Sequence, residues 1–541
     1  MLQEIVQAIY ADDDDAPMVF GAAEARERVL CKLLHPDQPF GPVASPEIDD
    51  REIFDRLFDR RNSISEGLRK GPAMIIGRRG AGKTAFLNSF HFDPAYDVVV
   101  SLQSDDSFPK MVRTIEGNLP VNVLAEEVSL LWTNLLWGAV FAALLEAHRD
   151  EAHDELADVT RYLEGIGVRQ GMTPYRIMRT ILKAIEAMNE KFKVLIDTIE
   201  EMAPDGVTFA EAQAVATRFL DRRGLKAIVL IDSLEQFPLD EPSMANALTG
   251  LLRAVGRFNQ PGQPCQIRCC LPSELYPRLI TLSSNPLKDF ASHIVLSWQP
   301  HELFHLAALR YASFLGLYFP AVYERRFKSI DLTTRKGVRR FWQQVLPNEL
   351  SNEYGLAEDT LAYLMRHTQL LPRHLLLHLN AIAKRTLSEG DDSHVFAEAA
   401  VLAGVRDTEH MIVEEIFNGY KQVYPQARAL CRKLLPNLAM RFELGEFHKQ
   451  FNRNRKSLED VVDYHDALAV LMEIGAVGVV TGDNERYIEG AFGYALPNRL
   501  HHRADDRFCV HPIFVREYRV PGPAGEAVRP IYPSGSEVEL R

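Results

Sequence analysis

The amino-acid sequence predicts an α/β protein in which helices cover both faces of a parallel sheet. Short apolar runs alternate with long helical stretches between residues 70 and 298, and a glycine-rich turn follows the first run. Strand signals then stop, and helical spacing dominates from residue 299 to 410. Beyond residue 411 the pattern is three helices followed by two β-like runs. We therefore expect a sheet domain, a helical region and a C-terminal winged-helix-like domain, in that order.

Length and composition exclude several broad classes of protein. A chain of 541 residues corresponds to about three or four domains of ordinary size. Apolar residues make up 46% of the chain and charged residues 25%, which excludes a collagen-like or wholly disordered protein. The formal charge of -13 argues against indiscriminate attraction to nucleic acid or to an anionic membrane, although it is compatible with a local basic face.

The cysteines and the N-terminus indicate a cytoplasmic protein. No cysteine pair has the spacing of a zinc site, so all six cysteines are interpreted as reduced thiols. The first residues contain neither a basic segment nor a small-residue cleavage site. The segment from Val128 to Leu145 has no charged residue and approaches the length of a membrane span. Its polar residues and flanking glutamates favour a buried helix over a membrane span.

Proline-rich stretches suggest where the domains divide. Residues 36–46 contain four prolines, which predict a surface connection, and the end of the chain is again rich in proline and glycine. The predicted parts are an N-terminal helical segment, a sheet domain, a helical region, a winged-helix-like domain and a tail without fixed structure, at 1–70, 71–298, 299–390, 391–520 and 521–541.

The predicted strands of the sheet domain are AMII (73–76), DVVVSL (97–102), AIVLI (227–231), QIRCCL (266–271) and HIVLSW (293–298). Helical stretches such as 122–148 and 208–220 separate them. The second of these opens with Thr208 and Glu211 at the spacing of a capping box. In the C-terminal domain, residues 476–480 and 486–496 form the predicted hairpin, joined by turn residues at 481–484.

The most specific motif is GRRGAGKT, which fits the pattern G-x-x-x-x-G-K-[ST] and lies between an apolar run and a helical segment. Glycine permits the backbone conformations in which successive N–H groups converge on phosphate oxygens. Lys83 can supply a positive charge to the β- and γ-phosphates, and the Thr84 hydroxyl can ligate Mg²⁺. We therefore predict a P-loop that binds ATP and Mg²⁺ through Gly77, Arg78, Arg79, Gly80, Ala81, Gly82, Lys83, Thr84 and Ala85.

Polar residues follow two other predicted strands at the same edge of the sheet. Asp232 follows AIVLI and is the predicted Mg²⁺ partner of Thr84, the alternative being an ordinary turn residue. Glu235 lies in the turn beyond, where a carboxylate can polarise an attacking water, although a solvated glutamate would look the same. Ser273 follows QIRCCL, and either contacts the γ-phosphate or the attacking water, or caps a helix.

Taken together, GRRGAGKT, LIDSLEQ, SWQPHELFHLAALR and LLPRHLLLHLNAI resemble the P-loop ATPases of the AAA-plus, origin-recognition and STAND groups. The resemblance is closest to prokaryotic members with a GRRGAGKT-type Walker A motif, and it covers residues 71–390. It implies a P-loop NTPase sheet with helices on both faces, a helical lid, ATP hydrolysis and, as such proteins often have, a C-terminal winged helix.

The resemblance also assigns roles outside the loop. In these families an arginine at the start of the last lid helix senses the γ-phosphate, and Arg373 in LLPRHLLL matches that position; a helix-capping or surface role is the alternative. Trp298 and Arg310 match the start of the lid, where packing is the expected role. STAND proteins commonly have two acidic residues after the Walker B aspartate, whereas this sequence reads DSLEQ. Because Gln236 replaces the second carboxylate, Glu235 alone must polarise water, and we expect slow turnover.

The C-terminal domain gives opposing signals about DNA. The predicted recognition helix, from Leu458 to Ile474, carries five carboxylates and neither lysine nor arginine, which opposes DNA binding. We therefore favour a protein-contact or autoinhibitory role over sequence-specific DNA recognition. The preceding stretch nevertheless offers cations that can contact phosphates, the alternative being a solvated loop: Lys449, Arg453, Arg455 and Lys456.

The leading hypothesis is an ATP-driven switch that couples nucleotide state to self-assembly into a homo-oligomer or to binding of an effector protein. By analogy with relatives, such a switch acts in bacterial stress responses or antiviral defence. The alternative is an ATP-dependent DNA-binding or loading protein of the origin-recognition type. A small-molecule kinase fits poorly, because a kinase does not need the long region after Trp298. Candidates for an arginine that reaches a neighbouring subunit are Arg335, Arg339 and Arg340, for which surface salt bridges are the alternative.

Overall fold

The protein is described from a computed structural model. It divides into two compact units. The sheet unit contains Ser65–Arg78 and Lys83–Leu296, and the helical unit contains residues 1–64, Arg79–Gly82 and Ser297–Arg541. The residues whose structure is described are 22–46, 48–60, 62–102, 112, 115, 125–148, 154–188, 199–232, 242–282, 292–388, 394–458, 463–495, 500–522 and 527–533.

The described part of the N-terminal region contains three helices. Its helices are α1 (Ala22–Leu33), α2 (Arg51–Leu57) and α3 (Ser63–Leu68). The proline-rich connection between α1 and α2 is held by Arg310, whose guanidinium donates to the carbonyl oxygens of Phe40 and Pro42 at 3.2 and 3.1 Å. Arg310 therefore has the packing role that was expected, and burial lowers its pKa to about 10.

The sheet unit is built around a five-stranded sheet with the order β2–β3–β4–β1–β5, and its pairings are parallel. Strands β1 and β3 are buried along their whole length, as expected for strands that are covered on both faces. The five predicted strands are present, although β5 ends at Val295 and not at Trp298 as predicted. The elements are β1 (Met74–Gly77), α4 (Lys83–Ser89), β2 (Val98–Leu102), α5 (Ala125–Ala147), α6 (Ala157–Ile166), α7 (Pro174–Met188), α8 (Phe209–Arg223), β3 (Ala227–Ile231), α9 (Pro242–Phe258), β4 (Cys265–Pro272), α10 (Tyr276–Leu282) and β5 (His293–Val295).

Helix α5 contains the uncharged segment that approaches the length of a membrane span. It is long and apolar enough to cross a membrane, yet 72% of its most apolar 18-residue stretch is buried inside the protein. Trp132 Nε1 donates to the carbonyl of Ala247 in α9 at 2.9 Å. An added Cβ at Gly138 would lie 2.1 Å from Ile181 Cδ1, so α5 packs closely against α7. These contacts support the interpretation of α5 as a core helix.

The helical unit continues after β5. It contains a hairpin, β6–β7, that helical spacing did not predict, because its strands are only three residues each. Helices α14 and α15 pack backbone to backbone: an added Cβ at Gly404 would lie 2.6 Å from Ile382 N. The elements are α11 (Pro300–Tyr318), α12 (Arg335–Trp342), β6 (Glu349–Ser351), β7 (Ala357–Asp359), α13 (Thr360–Arg366), α14 (Pro372–Ser388) and α15 (Glu398–Tyr420).

The C-terminal part of the helical unit is a winged-helix-like module with an enlarged sheet. The predicted hairpin is β9–β10, and the order of the sheet is β12–β10–β9–β11–β8. The hairpin turns at 484–487, where Asn484 Oδ1 accepts from two backbone N–H groups, and not at 481–484 as predicted. The elements are α16 (Ala427–Leu434), β8 (Arg441–Glu443), α17 (Leu444–Asn454), α18 (Tyr464–Glu473), β9 (Val477–Asp483), β10 (Ile488–Ala491), β11 (Arg507–Val510), α19 (Pro512–Glu517) and β12 (Ile531–Pro533).

The prediction that residues 521–541 lack fixed structure is wrong for β12. Its residues pair in parallel with β10, and Ile531 is 1% exposed. Two apolar side chains, Ile531 and Tyr532, bury enough surface to order this short segment despite the surrounding prolines and glycines.

Buried charges join α15 to neighbouring elements of the helical unit. Glu409 Oε2 accepts from Arg516 at 2.5 Å, and Glu409 Oε1 lies 2.5 Å from His367 Nδ1. Burial raises the pKa of Glu409 to about 7 and holds the pKa of His367 well below its usual range. On α13, Arg366 Nε donates to Glu358 at 2.7 Å. Because such charges are costly when unpaired, these pairs restrict how α13, α15 and α19 can pack.

We predict that Leu136→Ala in α5 lowers the free energy of unfolding by about 2–5 kcal/mol, because it leaves a cavity in a fully buried site. Met188→Ala in α7 is the control, because Met188 is 56% exposed. Urea denaturation without detergent measures both variants. Equal stability of Leu136→Ala and Met188→Ala would contradict the assignment of α5 to the core.

Candidate functional site

The GRRGAGKT segment forms the turn between β1 and α4, the context that a P-loop requires. Gly80 and Gly82 have φ angles of +82° and +88°, in the left-handed region where a side chain would be strained. At Gly77 the reason for glycine is steric: an added Cβ would lie 3.1 Å from Leu296 Cδ1. Glycine is therefore needed at Gly80 and Gly82 for the backbone conformation and at Gly77 for lack of space.

Lys83 is buried, and its side chain turns back toward the start of the loop. Its Nζ donates to the carbonyl oxygens of Gly77 at 3.1 Å and of Arg78 at 3.3 Å. The ammonium group is thus held beside the loop backbone, where the motif requires a positive charge for phosphate. Arg79 is exposed and Arg78 is half-buried.

Thr84 and Asp232, the two predicted Mg²⁺ ligands, lie together. Thr84 Oγ1 donates to Asp232 Oδ2 at 2.5 Å, although the residues are 148 positions apart in the chain. Asp232 directly follows β3 and is 6% exposed. A hydroxyl and a carboxylate suit Mg²⁺, which takes oxygen ligands and usually needs only one or two carboxylates when phosphates complete its coordination. These residues therefore fit the metal that the motif implies.

Ser273 lies at the same edge of the sheet as the loop. Its backbone N–H donates to Gly77 O at 3.1 Å, because β4 is the neighbour of β1. Its hydroxyl donates to Glu274 Oε2 at 3.4 Å. Buried Glu274 was missed from the sequence, and the signal that points to it is a carboxylate directly after the polar end of a strand. Glu235 and Gln236 lie outside the described residues, so the water-polarising role of Glu235 stays a prediction.

Two lid residues contact the loop tip, Arg79–Gly82, which belongs to the helical unit. Trp298 Nε1 donates to the carbonyl of Ala81 at 2.9 Å, so Trp298 does more than the packing that was expected. An added Cβ at Gly80 would lie 3.1 Å from Arg373 Cβ. Arg373 is thus next to the loop, as the predicted sensor role requires, while its guanidinium forms an ion pair with Glu415 of α15.

The three candidates for a trans-acting arginine lie on or at the start of α12. Arg335 lies 3.1 Å from His301 Nε2, and Arg339 lies 3.6 Å from Asp359. Arg340 is exposed. The contact of Arg339 agrees with the surface salt-bridge alternative, and a role across subunits stays a prediction.

The chain matches no known protein family and no curated protein. It is similar to solved structures of the Aeropyrum pernix ORC2 protein in ADPNP–ADP complexes (12% identity, TM-score 0.39, 87% of this chain and 96% of that chain). It is also similar to the Aeropyrum pernix ORC1 protein in complex with DNA (12% identity, TM-score 0.29, 95% of this chain and 95% of that chain). A further similar structure is Cdc6p from Pyrobaculum aerophilum (10% identity, TM-score 0.26, 95% of this chain and 98% of that chain). These similarities are too distant to decide what this chain binds.

We predict that Thr84→Val lowers the free energy of unfolding by about 1–3 kcal/mol relative to Thr84→Ser, with neither nucleotide nor Mg²⁺ present. Valine has the shape of threonine but cannot donate to the buried Asp232 carboxylate, whereas serine retains the hydroxyl. Thermal or urea unfolding of the two variants measures the difference. Valine and serine variants of equal stability would show that the hydrogen bond to Asp232 contributes nothing.

Proposed function

We propose that this protein is a P-loop ATPase that binds Mg-ATP and hydrolyses it slowly. One observation carries the proposal: the Thr84 hydroxyl and the Asp232 carboxylate lie 2.5 Å apart beside a glycine-rich loop that also holds the Lys83 ammonium. A cation, a hydroxyl and a carboxylate at the end of a parallel sheet are the groups that a magnesium triphosphate needs.

Each of these groups has a defined part in the proposed reaction. Backbone N–H groups of the loop and Lys83 bind the β- and γ-phosphates. Thr84 and Asp232 would hold Mg²⁺, which would supply positive charge to the phosphates when bound. Ser273 orients the γ-phosphate or the attacking water from the end of β4, and Glu235 accepts a proton from that water. With Gln236 in place of a second carboxylate, hydrolysis is slow.

The nucleotide acts as a switch through the lid residues that adjoin the loop. Trp298 bonds to Ala81, and Arg373 lies next to Gly80, so phosphate bound by the loop changes the surroundings of both side chains. A nucleotide shifts a conformational equilibrium only through different affinities for the two states, and a charged sensor such as Arg373 provides that difference. No described residue supports a specific role in defence or stress responses.

We predict that Lys83→Ala weakens ATP binding roughly ten- to hundredfold, the effect of removing a charge-assisted hydrogen bond. Lys70→Ala is the control, because Lys70 is an exposed lysine that precedes the same strand. Titration calorimetry with Mg-ATP and phosphate release measure binding and turnover. Absence of ATP binding by the unmodified protein, or unchanged binding by Lys83→Ala, would refute the proposal.

ATP-dependent DNA binding is the second candidate function, and the exposure of the basic run in α17 and the following turn favours it. Its four cations are exposed, and none of them forms an ion pair with another described residue: Lys449, Arg453, Arg455 and Lys456. The rings of His448 and Tyr464 contact each other in a tilted arrangement, with centroids 4.3 Å apart. Exposed cations next to aromatic rings suit the phosphates and bases of nucleic acid.

The described part of the predicted recognition helix offers little surface for reading bases. Helix α18 buries Leu468, Leu471 and Met472, and its carboxyl end accepts hydrogen bonds from Tyr420 and Gln369. Contact with the DNA backbone therefore fits this module better than sequence recognition.

We predict that duplex DNA binding in the presence of Mg-ATP depends on the basic run and falls with salt. Neutralising all four cations should weaken the binding and reduce the magnitude of the slope of log affinity against log salt by about 0.9 for each phosphate that the variant no longer neutralises. Fluorescence anisotropy with labelled duplex DNA measures both effects. The control variant replaces four exposed arginines of the sheet unit with alanine: Arg69, Arg169, Arg179 and Arg222. If this control binds DNA as weakly as the variant without the basic run, or if the unmodified protein does not bind DNA, the proposed DNA-binding function is wrong.

A further inference from the structure

Glu415 brings a carboxylate to the tip of the nucleotide loop. An added Cβ at Gly80 would lie 3.4 Å from Glu415 Oε1 and 3.1 Å from Arg373 Cβ. Glu415 Oε1 also accepts a hydrogen bond from Arg373 Nη1, and Arg373 Nε donates to the carbonyl of Val43 at 3.3 Å. Arg373, the predicted sensor, is thus already bound to Glu415 and to the Val43 carbonyl beside the loop.

This ion pair opposes the chemistry that the loop is built for. A loop that binds phosphate collects positive groups, whereas Glu415 neutralises the positive charge of the arginine next to the loop. The side chain of Glu415 is only 14% exposed and that of Arg373 only 26%, so water screens the pair less than it screens a surface pair. Arg373 already uses Nη1 for Glu415 and Nε for Val43, so each of the two donor edges of its guanidinium has one donor engaged, and a phosphate bound by two hydrogen bonds has to displace one of these partners.

The helix that carries Glu415 contacts neighbouring elements of the helical unit at several points along its length. Six residues earlier on α15, Glu409 binds Arg516 of α19 at 2.5 Å. At the end of α15, Tyr420 Oη donates to the carbonyl of Glu473 at 3.0 Å. Close packing at Gly404 fixes α15 against α14, the helix that carries Arg373.

We propose that Glu415 is a positioning residue that holds Arg373 in the absence of nucleotide and competes with the γ-phosphate for it. The proposal rests on ATP binding at the loop. ADP lacks the γ-phosphate and does not take Arg373 from Glu415. ATP takes Arg373 from Glu415, and the affinity of the protein for ATP is reduced by the cost of breaking the ion pair. Glu415 therefore sets the preference of the protein for ATP over ADP and the threshold at which ATP moves the lid.

The test compares the ATP-to-ADP affinity ratio of Glu415→Gln with that of the unmodified protein. Glutamine keeps the size of the side chain but removes the charge, so Arg373 is released. We expect a non-hydrolysable ATP analogue to bind about two- to fivefold more tightly, which corresponds to the strength of a partly exposed ion pair, while ADP affinity stays unchanged. Titration calorimetry with Mg²⁺ measures both affinities.

Two controls separate this role from a structural one. Glu414→Gln removes the neighbouring carboxylate of α15, which pairs with Arg428 instead, and should leave the ratio unchanged. In an Arg373→Gln background, Glu415→Gln should no longer change the ratio, because the group it releases is gone. If Glu415→Gln does not fold, Glu415→Ala and Glu415→Asp provide the comparison, and only the alanine variant should raise the ratio.

The outcomes distinguish this inference from the proposed function. If the unmodified protein binds ATP but Glu415→Gln leaves the ratio unchanged, or tightens ATP and ADP equally, competition for Arg373 is wrong while the ATPase proposal stands. If Glu415→Gln still changes the ATP-to-ADP affinity ratio in the Arg373→Gln background, competition for Arg373 is also wrong. If the unmodified protein binds no ATP, both proposals fall together.

Discussion

The hydrogen bond between Thr84 and Asp232 is the contact on which the candidate site depends. It joins the helix that follows β1 to the end of β3, with β4 lying between the two strands. Such a contact forms only if parallel strands end at the same edge and in the right order. The buried sheet therefore does more than support the loop, because its pairing brings the hydroxyl and the carboxylate within 2.5 Å of each other.

The charged groups of the two units differ in their exposure. Lys83 and Asp232 of the sheet unit are buried, whereas Arg373 and Glu415 of the helical unit are partly exposed. Buried groups are held by many contacts, which suits the proposed binding of phosphate and metal. Partly exposed groups exchange partners at a smaller cost, which suits the proposed role of Arg373 as a sensor.

The sequence was most informative where a local rule determines structure. The five strands of the sheet follow from short apolar runs, and the start of α8 follows from Thr208, which forms the expected capping box. Prediction failed where long-range burial decided the outcome. The strand at Ile531 is only three residues long, and it is ordered because β10 lies beside it. Glu415 was missed because nothing adjacent to it in the chain indicates that it contacts Arg373.

The sequence by itself determined the α/β class, the P-loop motif and the choice of Lys83, Thr84 and Asp232 as candidate site residues. These depend on residue spacing and on glycine conformations, which are set within a few residues of the chain. Only the tertiary structure decided that Thr84 meets Asp232, that Trp298 binds the loop and that Arg373 is paired with Glu415. Those contacts join residues far apart in the chain, and the free energy that selects them comes from burying whole helices and strands together.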